Sequence, residues 1–178
     1  MYIPPFTAFD GKIVVHYGQA YVLAPACDLD SIEEAFTNQR NGICGAALPG
    51  GLVLITGLHT GYVKLLVQVH HAAPAVDDSW DDIVEASWLL NSAPVILRNW
   101  DREKMCEIPL EPGSYRVRYC ARRFGEDPED DDDRPEPIES YMLLFWPAPQ
   151  SKDTVLKQTS ERAAYWNAGG WPTMKQVS

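Results

Sequence analysis

Two strand-like stretches joined by the most charged segment of the chain, all between Pro112 and Pro149, set the terms for any fold of this sequence. The first, Gly113-Ser114-Tyr115-Arg116-Val117-Arg118-Tyr119-Cys120, alternates polar and apolar residues as a half-buried strand does. The return stretch, Tyr141-Met142-Leu143-Leu144-Phe145-Trp146, is apolar on both faces and predicts a central strand covered on each side. Between them, Gly125 to Pro137 is a polar connection. From Glu126 to Glu139 the chain holds nine acidic residues and one arginine, a sum of −8 in a chain of net charge −10. A hairpin that carries most of the net charge constrains both the fold and the electrostatics.

Upstream, the pattern is that of many short strands. Ile13 to Leu23 keeps one parity through Val15, Tyr17 and Tyr21, which predicts a single strand entered from an Asp10-Gly11 turn. Ser31 and Glu34 have capping-box spacing ahead of Ala35 and Phe36, predicting a short helix that Asn41-Gly42 would stop. Glycine turns then separate strands at 43–48, 52–56 and 62–70, the last with Val63, Leu65, Val67 and Val69 on one face. Further strands follow at 83–90, 94–97 and 105–110, with Glu111-Pro112-Gly113 as the turn into the hairpin. After Pro147 and Pro149 the sheet is expected to be finished, because proline cannot donate to a ladder. Ser160 to Asn167 reads as a helix and 172–178 as a frayed end. The expectation is one mainly β domain over 1–178, an antiparallel β-sandwich with one or two short helices. It would carry an acidic loop at 125–137 and a C-terminal extension at 150–178.

Charge and cysteines narrow the function classes. Outside the acidic segment the net charge is close to balance, so no general surface attracts nucleic-acid phosphates or anionic lipid. A basic protein partner suits the charge better. Cys27, Cys44, Cys106 and Cys120 form no Cys-x-x-Cys pair and have no histidine at zinc-ligand spacing, so they read as small buried apolar residues of a reduced protein. The N-terminus lacks the basic start and apolar run of a signal peptide, and no apolar stretch reaches the ~20 residues of a membrane helix. A cytoplasmic location is expected. Oligomeric state is not legible.

Catalytic motifs are missing. There is no Gly-x-Ser-x-Gly elbow, no phosphate loop, no dinucleotide fingerprint and no His-Glu-x-x-His. No catalytic residue, cofactor or metal is therefore assigned. His70 and His71 are adjacent in a strand and point to opposite faces, so they do not share a metal. The acidic run supplies no frame with the glycine that a calcium-binding EF-hand loop needs. The alternative of a small-ligand or metal-binding sandwich, enzymatic or not, requires folding to bring His16 and His59 together with Asp or Glu residues. A structural assembly subunit is a third reading. The acidic segment itself reads either as a solvated connection or as a phosphate mimic that occupies the basic cleft of a nucleic-acid enzyme. In the second reading the contact residues are Glu129, Asp130, Asp131, Asp132 and Asp133. Trp80 and Trp100, each beside acidic residues, would be hot spots, unless they are sheet-packing tryptophans.

From Leu97 to Ala121 a polar turn and a strand lead into Leu-Glu-Pro-Gly-Ser-Tyr-Arg-Val-Arg-Tyr, and the later return strand ends in Trp-Pro-Ala-Pro. With an early histidine-bearing strand, a short helix and a glycine turn in the same order, residues 10–146 resemble the competence protein ComJ family. The resemblance implies a β-sandwich that binds and inhibits a DNA-entry nuclease, and carries over no individual functional residue. The function expected is a non-catalytic protein-binding module, an inhibitor or immunity-type protein acting on a basic nuclease or toxin.

Overall fold

The architecture, taken from a computed structural model that describes residues 1–126 and 136–175, is two stacked β-sheets with one short α-helix. Eleven strands alternate with turns: β1 (Phe6–Val15), β2 (Gln19–Leu23), β3 (Cys44–Leu48), β4 (Gly51–Ile55), β5 (Gly61–Val69), β6 (Asp82–Leu90), β7 (Val95–Arg98), β8 (Lys104–Ile108), β9 (Gly113–Arg122), β10 (Ser140–Pro147) and β11 (Thr154–Lys157). The six-stranded sheet runs β1-β5-β10-β9-β6-β11, and the five-stranded sheet β3-β4-β2-β7-β8. The predicted hairpin is present, with β9 and β10 paired antiparallel from Ser140↔Arg122 to Pro147↔Tyr115.

The sheets are not strictly antiparallel. β10 lies parallel to β5, from Ser140↔Lys64 to Phe145↔Val69. Tyr141-to-Trp146 is apolar on both faces because it is a central strand between β5 and β9, and its inner residues Tyr141, Leu143 and Phe145 are buried in the core between the sheets.

Four other expectations are corrected. Ile13 to Leu23 is two strands in different sheets, because the chain turns at Tyr17 and Gly18, both at positive φ (52° and 64°). The Asp10-Gly11 pair lies inside β1 instead of entering it. The segment after Ser31 is a 3-10 helix, Ile32–Phe36, in which Ser31 makes no side-chain cap and which ends before Asn41-Gly42. The sheet does not stop at Pro149. β11 pairs with β6 through Thr154↔Glu85 and Lys157↔Ile83.

The half-buried reading of β9 is also revised. Its run from Tyr115 to Ala121 is buried on both faces. The inner face packs Val117 and Tyr119 into the core, while outward Arg116 and Arg118 lie under the segments 74–75 and 151–154. Glu85 of β6 pairs with both, at 3.1 Å to Arg116 and 2.8 Å to Arg118. Other guanidinium donors go to the backbone carbonyls of Pro74, Ala75 and Lys152 and to the hydroxyls of Ser87, Ser151 and Thr154. Two guanidiniums and one carboxylate thus form a satisfied layer outside the sheet, as buried charges require.

At the C-terminus, α1 (Glu161–Asn167) is capped by Ser160, whose hydroxyl accepts the Ala163 N–H. The chain then returns to the core instead of fraying at once. Trp171 stacks between Phe36 and Trp166, with ring centroids 4.8 and 4.7 Å away, and donates its indole N–H to Gly42 O. Met174 is buried, and residues 176–178 lie outside the described residues. All four cysteines are free. Cys44 and Cys120 are buried, with burial pushing each thiol up to about 12, whereas Cys27 and Cys106 are partly exposed.

Candidate functional site

The pairing directions gather one set of connections at one end of the sandwich. β1, β9 and β11 finish where β5, β6 and β10 begin. In the other sheet, β4 and β7 finish where β2, β3 and β8 begin. The turns at 16–18, 56–60 and 99–103 and the described roots of the acidic segment, Glu126 and Glu136, therefore share this end.

An aromatic cluster stands there. Tyr17 holds the tight turn between the sheets, which is closed by a bridge between His16 and Gln19. A tyrosine at positive φ costs on the order of 1 kcal/mol, and glycine, asparagine or aspartate would take the turn at less strain. The residue is 59% exposed. It packs against His16 at 4.3 Å, His59 at 5.0 Å and Trp100 at 5.7 Å between centroids. His16 also meets Trp100 edge-on at 4.6 Å and His59 at 5.4 Å. The Nδ1 atoms of His16 and His59 both lie on the Thr60 hydroxyl, at 2.7 and 2.8 Å. Thr60 has one proton to give and two lone pairs to receive, so at least one of the two Nδ1 atoms donates to it. Trp100 is held by a turn in which Asn99 Oδ1 accepts the Glu103 N–H and Asn99 Nδ2 donates to the Glu103 carboxylate.

A buried carboxylate ties this cluster to the roots of the acidic segment. Glu139, 0% exposed, accepts the N–H groups of Gly57 and Leu58 on one oxygen and of Gly125 on the other. The Tyr141 hydroxyl donates to it as well. Burial pushes its carboxyl above the ordinary range, and these hydrogen bonds pull it partly back. The 56–60 turn fixed in this way holds the Tyr17 turn in place, through Gly18 N–H to His59 O and Thr56 N–H to Gly18 O, each 2.9 Å. Gly57 is required at this junction. A Cβ there would come within 2.1 Å of the Gly125 nitrogen. At the other root, Glu136 pairs with Lys64 of β5 at 3.1 Å.

The residues singled out from the sequence fare differently. Glu129, Asp130, Asp131, Asp132 and Asp133 lie outside the described residues. Trp100 is half-buried in the aromatic cluster. Trp80 is 8% exposed, packed with Ile83 and Cys120 under the Arg122 guanidinium at 4.4 Å, which is the sheet-packing role. The acidic residues beside it are engaged too: Asp82 Oδ1 accepts the N–H groups of Thr159 and Ser160, and Asp81 accepts that of Arg123. His16 and His59 do come together, 43 residues apart in sequence, but on a threonine instead of a carboxylate. Among the described residues no group of three or more His, Cys, Asp or Glu side chains is placed to hold a metal ion, and no helix is long and apolar enough to cross a membrane. Tyr17, Thr60 and Glu139 escaped the sequence reading. The one available signal was Tyr17-Gly18 interrupting the strand parity.

Two solved structures share this architecture. One is ComJ from Bacillus subtilis, described as an inhibitor of the DNA-degrading activity of NucA; it is 12% identical, with a TM-score of 0.57 over 82% of this chain and all of that one. The chain has the ComJ fold. The other is a crocagin biosynthesis protein (crocagin biosynthetic gene J), 17% identical, with a TM-score of 0.53 over 83% of this chain and all of that one. No protein-family model and no curated protein sequence matches the chain. At these identities the likeness establishes the fold that ComJ also has, with one neighbour an inhibitor and the other a biosynthesis protein.

Proposed function

We propose that this protein is a non-catalytic binding module that inhibits a basic, DNA-degrading nuclease through the end of the sandwich that carries the aromatic cluster. The observation that carries the reading is the single hydrogen-bonded unit formed there. Glu139 joins both roots of the acidic segment to the 56–60 turn, and that turn supports Tyr17, His59 and, through His16, Trp100. A rigid aromatic anchor at the end of the sandwich where the acidic segment is rooted has the two components of a tight, steered interface. The aromatic surface loses little entropy on binding, and the charge raises the encounter rate with a cationic cleft. The ComJ neighbour, as an inhibitor of a DNA-degrading activity, favours the same class of partner.

The test is inhibition of DNA degradation by a panel of basic nucleases that includes NucA. Replacing Asp130 to Asp133 with serine removes four of the negative charges, so affinity should fall most at low salt and its salt dependence should flatten. Tyr17→Asn, which keeps a residue tolerant of positive φ, should weaken inhibition at least tenfold, ~1.4 kcal/mol, at every salt concentration. Inhibition of no nuclease in the panel, or full inhibition by both variants, would overturn the reading.

A further inference from the structure

A second polar site lies at the side of the sandwich. A cavity of about 370 Å³ opens between the 37–40 turn, β6 and the 150–153 segment. In a chain with 25 acidic and 15 basic side chains, this cavity has three cations on its wall, Arg40, Lys152 and Lys175, and one carboxylate, Asp153. None of the three cationic side chains takes part in an ion pair among the described residues. Asp153 is turned to structural use. Its Oδ2 accepts the N–H groups of Arg40 and Asn41 at 2.7 Å each and the Asn41 side-chain amide at 3.0 Å.

The floor of the cavity is independently arranged to donate. Ser87 Oγ accepts from Arg116 Nη1 at 3.2 Å and from the Ser151 N–H at 2.9 Å, which occupies both lone pairs. Among the described residues its own proton has no acceptor, so the hydroxyl is free to donate to a bound group. Ser151 Oγ likewise accepts from Arg116 at 3.1 Å. Behind these hydroxyls, Arg116 and Arg118 share the single Glu85, so the buried layer beneath the floor has one excess positive charge. Net charge does not cancel this field. Ser87 is five residues along β6 from the end where the acidic roots lie, about 17 Å, whereas exposed charges are screened over about 8 Å at physiological salt.

We infer that this cavity binds a phosphate group, as inorganic phosphate or as the phosphate of a small monoester. A tetrahedral oxyanion can accept from serine hydroxyls and flanking cations in different directions at once, and the volume falls within the range of small-molecule sites. Nothing in the inference depends on the nuclease reading, since the site shares no residue with the aromatic end.

The experiment compares the full chain with the Arg40→Ala/Lys152→Ala double variant and with Lys152→Glu. Each protein is titrated with inorganic phosphate against chloride at matched ionic strength, following the thermal midpoint and the phosphorus NMR linewidth. Specific binding raises the native protein's midpoint by roughly 2–4 °C at saturating excess and broadens the phosphorus line, and both effects are lost in the two variants. Equal midpoint rises in all three proteins would report general exclusion of phosphate from protein surfaces and overturn the proposal. So would an unbroadened phosphorus line, or an acetate response matching that of phosphate, which would assign the site to carboxylates.

Discussion

At the scale of single residues, Glu139 decides more than any acidic residue of the loop it terminates. Three backbone N–H groups and a phenol converge on its carboxylate in a dry site. An amide in its place would turn an NH₂ toward donors, so Glu139→Gln should destabilise the protein by about 1–3 kcal/mol through unsatisfied buried groups. The pH dependence has a definite sign. Because the folded carboxyl is raised above its ordinary 4.5, the folded state binds this proton more tightly than the unfolded chain. Its contribution is fully present below about pH 4.5 and is lost as pH rises through the folded value. The stability gap between native protein and Glu139→Gln should therefore be widest in acid and narrow upward from pH 4.5, as denaturant midpoints measured from pH 4 to 7 would reveal. A gap that widened with pH would mean the hydrogen-bond shell outweighs burial and the carboxyl is lowered. Burial also pushes the neighbouring Tyr141 hydroxyl far above its usual range, so it remains a donor to Glu139 throughout.

Among elements, β9 is the one whose sequence says least about its surroundings. Arg116 and Arg118 alternate with Val117 and Tyr119 and so read as a wet face, but that face is roofed by residues far away in sequence at 74–75 and 151–154. Removing the shared carboxylate with Glu85→Ala should cost about 3–5 kcal/mol, since two buried guanidiniums lose their counter-charge. Urea unfolding would measure it, and a loss under 1 kcal/mol would mean that water reaches these arginines. Strand existence was legible because period-two alternation is local: Val63, Leu65, Val67 and Val69 face inward as their spacing implies. Pairing was not, because nothing within Tyr141 to Trp146 records that its partner β5 runs parallel. The Tyr17 turn was hidden by its own residue. A tyrosine where asparagine or glycine is usual continues the parity of a strand. His16 and His59 met only through the crossing between sheets, which no spacing encodes. The Ser31 cap failed for the opposite reason, since a valid local motif was overridden by the packing of Phe36 against Gly45 and Trp171.

For the molecule as a whole, the C-terminal residues behave as part of the core. Ala163, Met174 and the half-buried Trp166 and Trp171 pack against it, and Lys175 N–H reaches Gln39 O. Truncation after Thr159 should remove at least 3 kcal/mol, read as a drop of roughly 6–12 °C in thermal midpoint. A loss below 2 °C would reduce the segment to an accessory. Charge is distributed on the same large scale, with the acidic segment rooted at one end of the sandwich and the cationic cavity set back along its side. The parallel pairing of β5 with β10 adds a constraint on how the chain can be made. β6, β7, β8 and β9 are all synthesised between these two neighbours. As the chain leaves the ribosome, β5 can zip to β1 early, but its other flank stays open until β10 emerges. A nascent chain of this topology therefore waits, with one flank of β5 unpaired, while the 70 residues between Val69 and Ser140 are made.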